Sequence, residues 1–133
     1  MTAVQRVAQI IGWIFIIAGV IGFFDTGFGM EADMAMADRL LGIFPVNFLH
    51  NLVHLGSGIW GVWAASRFDR ARSYARILGV VYLVLVVLAF FTPTFFGLMP
   101  IGGNDIWLHL LLAIPLLYFG FTARERPRER AEG

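Results

Sequence analysis

Phe44-Pro45-Val46-Asn47-Phe48-Leu49-His50-Asn51-Leu52-Val53-His54-Leu55-Gly56-Ser57-Gly58 opens an uncharged stretch that runs on to Ser66. Asn47, His50, Asn51 and His54 recur at i, i+3, i+4 and i+7, which predicts a helix carrying all four along one face. Gly58, Gly61 and Ala65 continue that face, so the stripe is polar at one end and small at the other. A hydrocarbon core takes roughly 20 helical residues to cross, and this segment is long enough. Imidazoles at membrane depth are expensive, so these histidines need a partner or a task.

Three further stretches are nearly free of charge: Val7 to Phe24, Ile77 to Phe91 and Ile106 to Thr122. With their flanks, spans are expected at about 7–24, 46–66, 75–92 and 104–122, an outer loop at 25–45 and a cytoplasmic tail at 123–133. The runs are continuously apolar rather than alternating, which favours helices over a barrel. A chain of 133 residues with 59% hydrophobic and 14% charged residues reads as one membrane domain. The absence of cysteine removes thiolate metal sites, disulfides and thiol redox chemistry.

All ten basic residues are arginine, and a formal charge of +1 argues against a nucleic-acid binder. Arg6 precedes the first span, Arg67, Arg70, Arg72 and Arg76 lie in or beside the link between the second and third, and Arg124, Arg126, Arg128 and Arg130 follow the fourth. By the positive-inside rule both termini are cytoplasmic, and the loop with Asp25, Glu31, Asp33, Asp38 and the solitary Arg39 faces outward. Past Arg124 the mixture of arginine with Glu125, Glu129 and Glu132 suggests a short surface helix against lipid headgroups. A cleaved signal peptide ending at Ala35-Met36-Ala37 is the competing reading of the first span. Its apolar run exceeds the usual h-region of about 7–15 residues, and Ala37 lies far beyond its end.

Sliding the chain on itself by 55 residues sets Gly42, Pro45, His54, Leu55 and Ile59 over Gly97, Pro100, His109, Leu110 and Ile114. The expected fold is therefore all-α: an integral membrane four-helix bundle of two tandem helical hairpins, a parallel internal repeat about an axis along the membrane normal. Equivalent positions of the second and fourth helices then lie at equal depth across that axis. His54 overlays His109, and His50 overlays Asp105. Both inner histidines lie about 13 Å along the helix from Pro45 and Pro100.

Four chemistries suit His50, His54, Asp105 and His109. They form a structural network of interhelical hydrogen bonds, each contributing about 0.6 kcal/mol. They ligate a divalent metal ion, since neutral imidazoles and a carboxylate at i, i+4 on facing helices suit zinc or a similar ion. His54 and His109 are the axial ligands of haem b, with Gly58 leaving room for the macrocycle. Or Asp105 and the histidines relay protons, as for a quinol.

No phosphate loop, nucleophile elbow or zinc-protease signature is present, so no catalytic residues are assigned. The leading expectation is an accessory or interaction subunit with a buried His/Asn network, its partners the lipid bilayer and a larger membrane complex or a second copy. The alternative is a metal- or haem-binding membrane protein with redox or transport activity. Pro115 frees the carbonyl of Leu111 within the fourth helix, a defect that membrane helices tolerate.

Phe44-Pro45-Val46-Asn47 with His50-Asn51-Leu52-Val53-His54-Leu55, and Gly103-Asn104-Asp105 with Leu108-His109-Leu110, resemble a family of small bacterial four-helix membrane proteins known only as a domain of unknown function. The resemblance covers nearly the whole chain. It implies a membrane location and four spans, but no activity, cofactor or catalytic residue; with the arginine distribution, the expected location is the bacterial inner membrane.

Overall fold

A computed structural model describes residues 1–125, so Arg126, Arg128, Arg130 and most of the expected tail helix lie outside the described residues. Four helices carry the fold: α1 (Ala3–Thr26), α2 (Phe48–Ala64), α3 (Phe68–Ala89) and α4 (Asn104–Thr122). The Thr2 backbone N–H donates to Gln5 Oε1 at 3.0 Å in a capping box that starts α1, and Gly27 with φ 70° stops it. At the start of α2, Asn47 Oδ1 accepts from the His50 backbone N–H at 2.9 Å. Pro115 lies inside α4, which continues past it to Thr122.

The helix ends differ from the sequence expectation in two places. α3 begins at Phe68, so Arg70, Arg72 and Arg76 are helical and the link shrinks to residues 65–67. Alanine and arginine are good helix formers, and Asp69 in the first turn complements the helix dipole. α2 keeps only 17 residues because Asn47 caps it late and the tight link ends it early. α1, α3 and α4 are each long and apolar enough to cross a membrane. The outer segment also holds a small antiparallel ribbon, β1 (Arg39–Leu40) and β2 (Phe44–Pro45), which the sequence did not suggest. Leu41 N–H at its tip donates to Asp25 Oδ2 at 2.8 Å, tying the ribbon to the end of α1.

Packing is closest between α1 and α2 and between α3 and α4. Both pairs are antiparallel: Gln5 Nε2 near the start of α1 donates to the Ala65 carbonyl at 3.0 Å, and Arg76 Nε near the start of α3 donates to the Gly120 carbonyl at 2.7 Å. Glycines bring the backbones of each pair together. A Cβ on Gly12 would lie 2.7 Å from the Val62 nitrogen, one on Gly58 would lie 2.6 Å from the Gly12 carbonyl oxygen, and one on Gly79 would lie 3.1 Å from the Leu117 nitrogen.

The two diagonals of the bundle are unequal. α1 and α3 touch through the stacked rings of Phe15 and Tyr82, 5.3 Å apart, whereas no Cα of α2 comes within 8 Å of one in α4. Buried positions recur between the touching helices at a constant offset of 67 residues: Val4, Ala8, Ile11, Gly12, Phe15, Gly19 and Gly22 in α1 answer Ala71, Ala75, Leu78, Gly79, Tyr82, Val86 and Ala89 in α3. Outward faces carry Ile10, Trp13, Ile17, Val84, Leu111 and Ile114, all exposed, so the fold is apolar on its surface as well as in most of its core.

Gly58→Ala is expected to destabilise the detergent-solubilised protein by about 1–3 kcal/mol through backbone overlap. Gly56→Ala, with nothing within 4 Å of the added Cβ, should be neutral or stabilising. Thermal unfolding of the two variants side by side checks the difference.

Candidate functional site

The long diagonal is filled by side chains. His50 and His54 from α2 and Asp105 and His109 from α4 meet there, each pair one helical turn apart, and none of the four is more than 4% exposed. Ring centroids are separated by 4.4 Å for His50 and His54, 5.7 Å for His50 and His109, and 6.1 Å for His54 and His109. One nitrogen from each ring lies within 4.8 Å of the other two. Asp105 Oδ2 stands 3.9 Å from His50 Nδ1. All four sequence-predicted site residues are thus brought into one cluster.

Beneath the cluster, Phe15 packs on His54 at 5.3 Å and Tyr82 on His109 at 4.9 Å. Neither residue is a site candidate in the sequence, where Tyr82 reads only as a deep aromatic packing between helices or against lipid and Phe15 as one of thirteen phenylalanines. Above it, Asn47 Nδ2 donates to the Leu98 carbonyl at 2.9 Å, and Asn104 Nδ2 donates to the Ile43 carbonyl at 3.2 Å, so the two outer loops are pinned over the histidines. Arg39, exposed at the loop end of the bundle, donates through Nη2 to the Met34 carbonyl at 3.0 Å.

Two residues of the predicted polar face turn elsewhere. Asn51 lies over Gly22 of α1 and donates through Nδ2 to Thr26 Oγ1 at 3.2 Å, and Asn47 serves as cap and loop clamp. A stripe spaced i, i+3, i+4 is wide enough to meet two neighbouring helices, and here Asn51 meets α1 while His50 and His54 meet α4. Gly58 does not leave room for a macrocycle, because the backbone of α1 fills that space. His50, Phe15 and Tyr82 also crowd His54 and His109, so a porphyrin does not fit between the axial rings in this arrangement.

Hydrogen-bond accounting sets this cluster apart from a structural network. His50 Nδ1, both ring nitrogens of His54, His109 Nε2 and Asp105 Oδ2 are buried without a hydrogen-bond partner. Each such atom carries a desolvation cost of about 1–3 kcal/mol, and native proteins contain few of them. Three imidazoles thus bring one nitrogen each into common space, with the Asp105 carboxylate beside His50. Ligands around a tetrahedral ion at 2.0–2.1 Å sit about 3.3 Å apart, so rings held within 4.8 Å need only small rotations to close on one.

These features define a small helical membrane protein with a buried three-histidine centre. Residues 5–122 match the family described as Domain of unknown function (DUF4383), and the chain belongs to that family. Comparisons with curated proteins and with solved structures find no match.

In protein stripped of metal, His54→Leu is expected to raise stability by about 1–3 kcal/mol, because it removes two unpartnered buried nitrogens at similar volume. A hydrogen-bonding role for this ring requires the opposite sign. Thermal denaturation in the presence of a chelator separates the two.

Proposed function

We propose that this is a four-span protein of the bacterial inner membrane that holds a transition-metal ion between α2 and α4, with His50, His54, His109 and Asp105 as ligands. The observation that carries the reading is that one nitrogen from each of three buried imidazoles lies within 4.8 Å of the other two, on side chains that leave polar atoms unpartnered within the protein. A network that served only helix register would join its polar atoms to each other.

Support for α2 as a fourth span comes from its pairing along α1 and from its rise of about 25 Å, which a locally thinned bilayer accommodates. Duplication of a hairpin is supported by equivalent contacts. Phe15 packs on His54 as Tyr82 packs on His109, and Gly12 meets the backbone at Val62 as Gly79 meets it at Leu117. A two-fold axis along the membrane normal relates these pairs and brings the two inner histidines together. Arg6, the arginines of the α2–α3 link and early α3, and Arg124 gather at one end of the bundle, Arg39 at the other. This supports cytoplasmic termini.

Protein purified in mild detergent and loaded in turn with Cu(I), Zn(II), Co(II) and Ni(II) should retain a stoichiometric amount of at least one ion by elemental analysis. His54→Leu and His109→Leu should lose it. Wild-type protein that retains none of the four ends the metal reading.

Because the chain lacks cysteine, a single introduced thiol reports sidedness without background. Ala35→Cys should react with an impermeant maleimide added to spheroplasts, and Ser66→Cys should react only after lysis. The reverse pattern would overturn the orientation.

A further inference from the structure

The charge of the ligand set bears on which ion it holds. Histidine ligates as a neutral imidazole, so the set carries a single negative charge, on Asp105. A monovalent ion brings the centre to neutrality, whereas a divalent ion leaves a net positive charge among side chains no more than 4% exposed and floored by Phe15 and Tyr82. Uncompensated charge at membrane depth is strongly disfavoured. Hard monovalent ions call for oxygen ligands, while copper accepts imidazole and, as Cu(I), also thioether. Three nitrogens within 4.8 Å, with the carboxylate 3.9 Å from one of their rings, present three ligands and an adjacent counter-charge.

A second observation lies in the outer loop. Met30, Met34 and Met36 fall within the run Gly29-Met30-Glu31-Ala32-Asp33-Met34-Ala35-Met36, above the cluster. Met30 is 53% and Met36 71% exposed, although methionine is ordinarily a core residue. The Met34 methyl packs over Gly102 and Gly103 at the start of α4, just ahead of Asp105. The Met30 carbonyl lies 3.5 Å from Asn47 Nδ2, and the Met34 carbonyl accepts from Arg39. The loop that carries the thioethers is therefore tied to the roof of the histidine centre.

We infer that the ion is Cu(I), collected at the outer face by the thioethers of Met30, Met34 and Met36 and exchanged onto His50, His54 and His109 with Asp105 as counter-charge. The inference rests on the metal reading above. Exchange from sulfur to nitrogen ligands changes neither the oxidation state of the ion nor any covalent bond of the protein.

The test uses the full chain in detergent, stripped with chelator and titrated anaerobically with Cu(I), held reduced by ascorbate, against bicinchoninate. Zn(II) is titrated separately against a chromophoric competitor. A stoichiometric Cu(I) site, bound at least roughly a hundredfold more tightly than Zn(II) and lost in His54→Leu, is expected. X-ray absorption of the loaded protein should show a nitrogen and oxygen shell without sulfur.

The Met30→Leu/Met34→Leu/Met36→Leu variant conserves side-chain volume. It should take Cu(I) from bicinchoninate roughly tenfold more slowly while reaching the same final occupancy. Stoichiometric Zn(II) binding in preference to Cu(I) would overturn the copper assignment and leave the metal reading standing. Binding of neither ion, nor of Co(II) or Ni(II), would remove both. Unchanged uptake by the triple variant, with Cu(I) still bound at the histidines, would overturn the collecting role of the loop.

Discussion

The unequal diagonals of the bundle govern everything else in this protein. In hydrocarbon, apolar burial gives helices no reason to associate, so close backbone approach must do it. Here that approach is made along α1–α2 at Gly12 and Gly58 and along α3–α4 at Gly79, while Phe15 and Tyr82 draw α1 and α3 together. With that diagonal closed, α2 and α4 are held apart, and only side chains can fill the space between them. The residues available at that level are three imidazoles and a carboxylate.

The filling is costly, and its cost is informative. A methionine or leucine set of similar volume would pack the same gap without leaving buried nitrogens unpartnered. Four residues whose polar atoms lack partners inside the protein are instead fixed from outside the cluster: by the capping of α2 at Asn47 and by aromatic rings under His54 and His109. Glycine seams in the helix contacts offset the expense, on the α1-facing side of α2 rather than among the histidines. Separation of a rigid, backbone-packed frame from a strained polar interior is what a binding centre requires and what a register device does not.

Much of this was legible in the sequence, and the parts that were not share a cause. Charge-free runs gave the four helices, since the cost of an arginine in hydrocarbon is local and can be read residue by residue. The 55-residue offset brought His54 and His109 into correspondence because proline and histidine are rare in apolar segments. The matching offset of 67 between α1 and α3 shows in the sequence only at the span ends, where Phe23-Phe24 answers Phe90-Phe91, since alanine, glycine and leucine recur elsewhere in those spans by composition alone. Helix starts at residues whose neighbours tolerate either state, such as Phe68 to Arg72, depend on tertiary contacts. The division of the α2 stripe between Asn51 and His54 depends on which neighbouring helix comes closer, and no single segment states that. The β1–β2 ribbon follows from a contact of Leu41 with Asp25, sixteen residues away in the chain.

The two ends of the bundle differ in a way that bears on access to the centre. Below Phe15 and Tyr82, the interior is a mainly apolar core of Val4, Ala8, Ile11, Ala75, Leu78, Ala113 and Leu116, in which the buried Tyr74 hydroxyl donates to the Ser57 carbonyl at 3.2 Å. Packing of that kind disfavours the passage of a charge. Above the centre, the cover consists of loops whose carbonyls at Leu98, Met30 and Ile43 are held by two asparagine side chains. Breaking a few exchangeable hydrogen bonds at the water boundary opens that cover, whereas breaking the core unfolds the frame. The loop end that carries Arg39 is thus the less costly way to the histidine cluster.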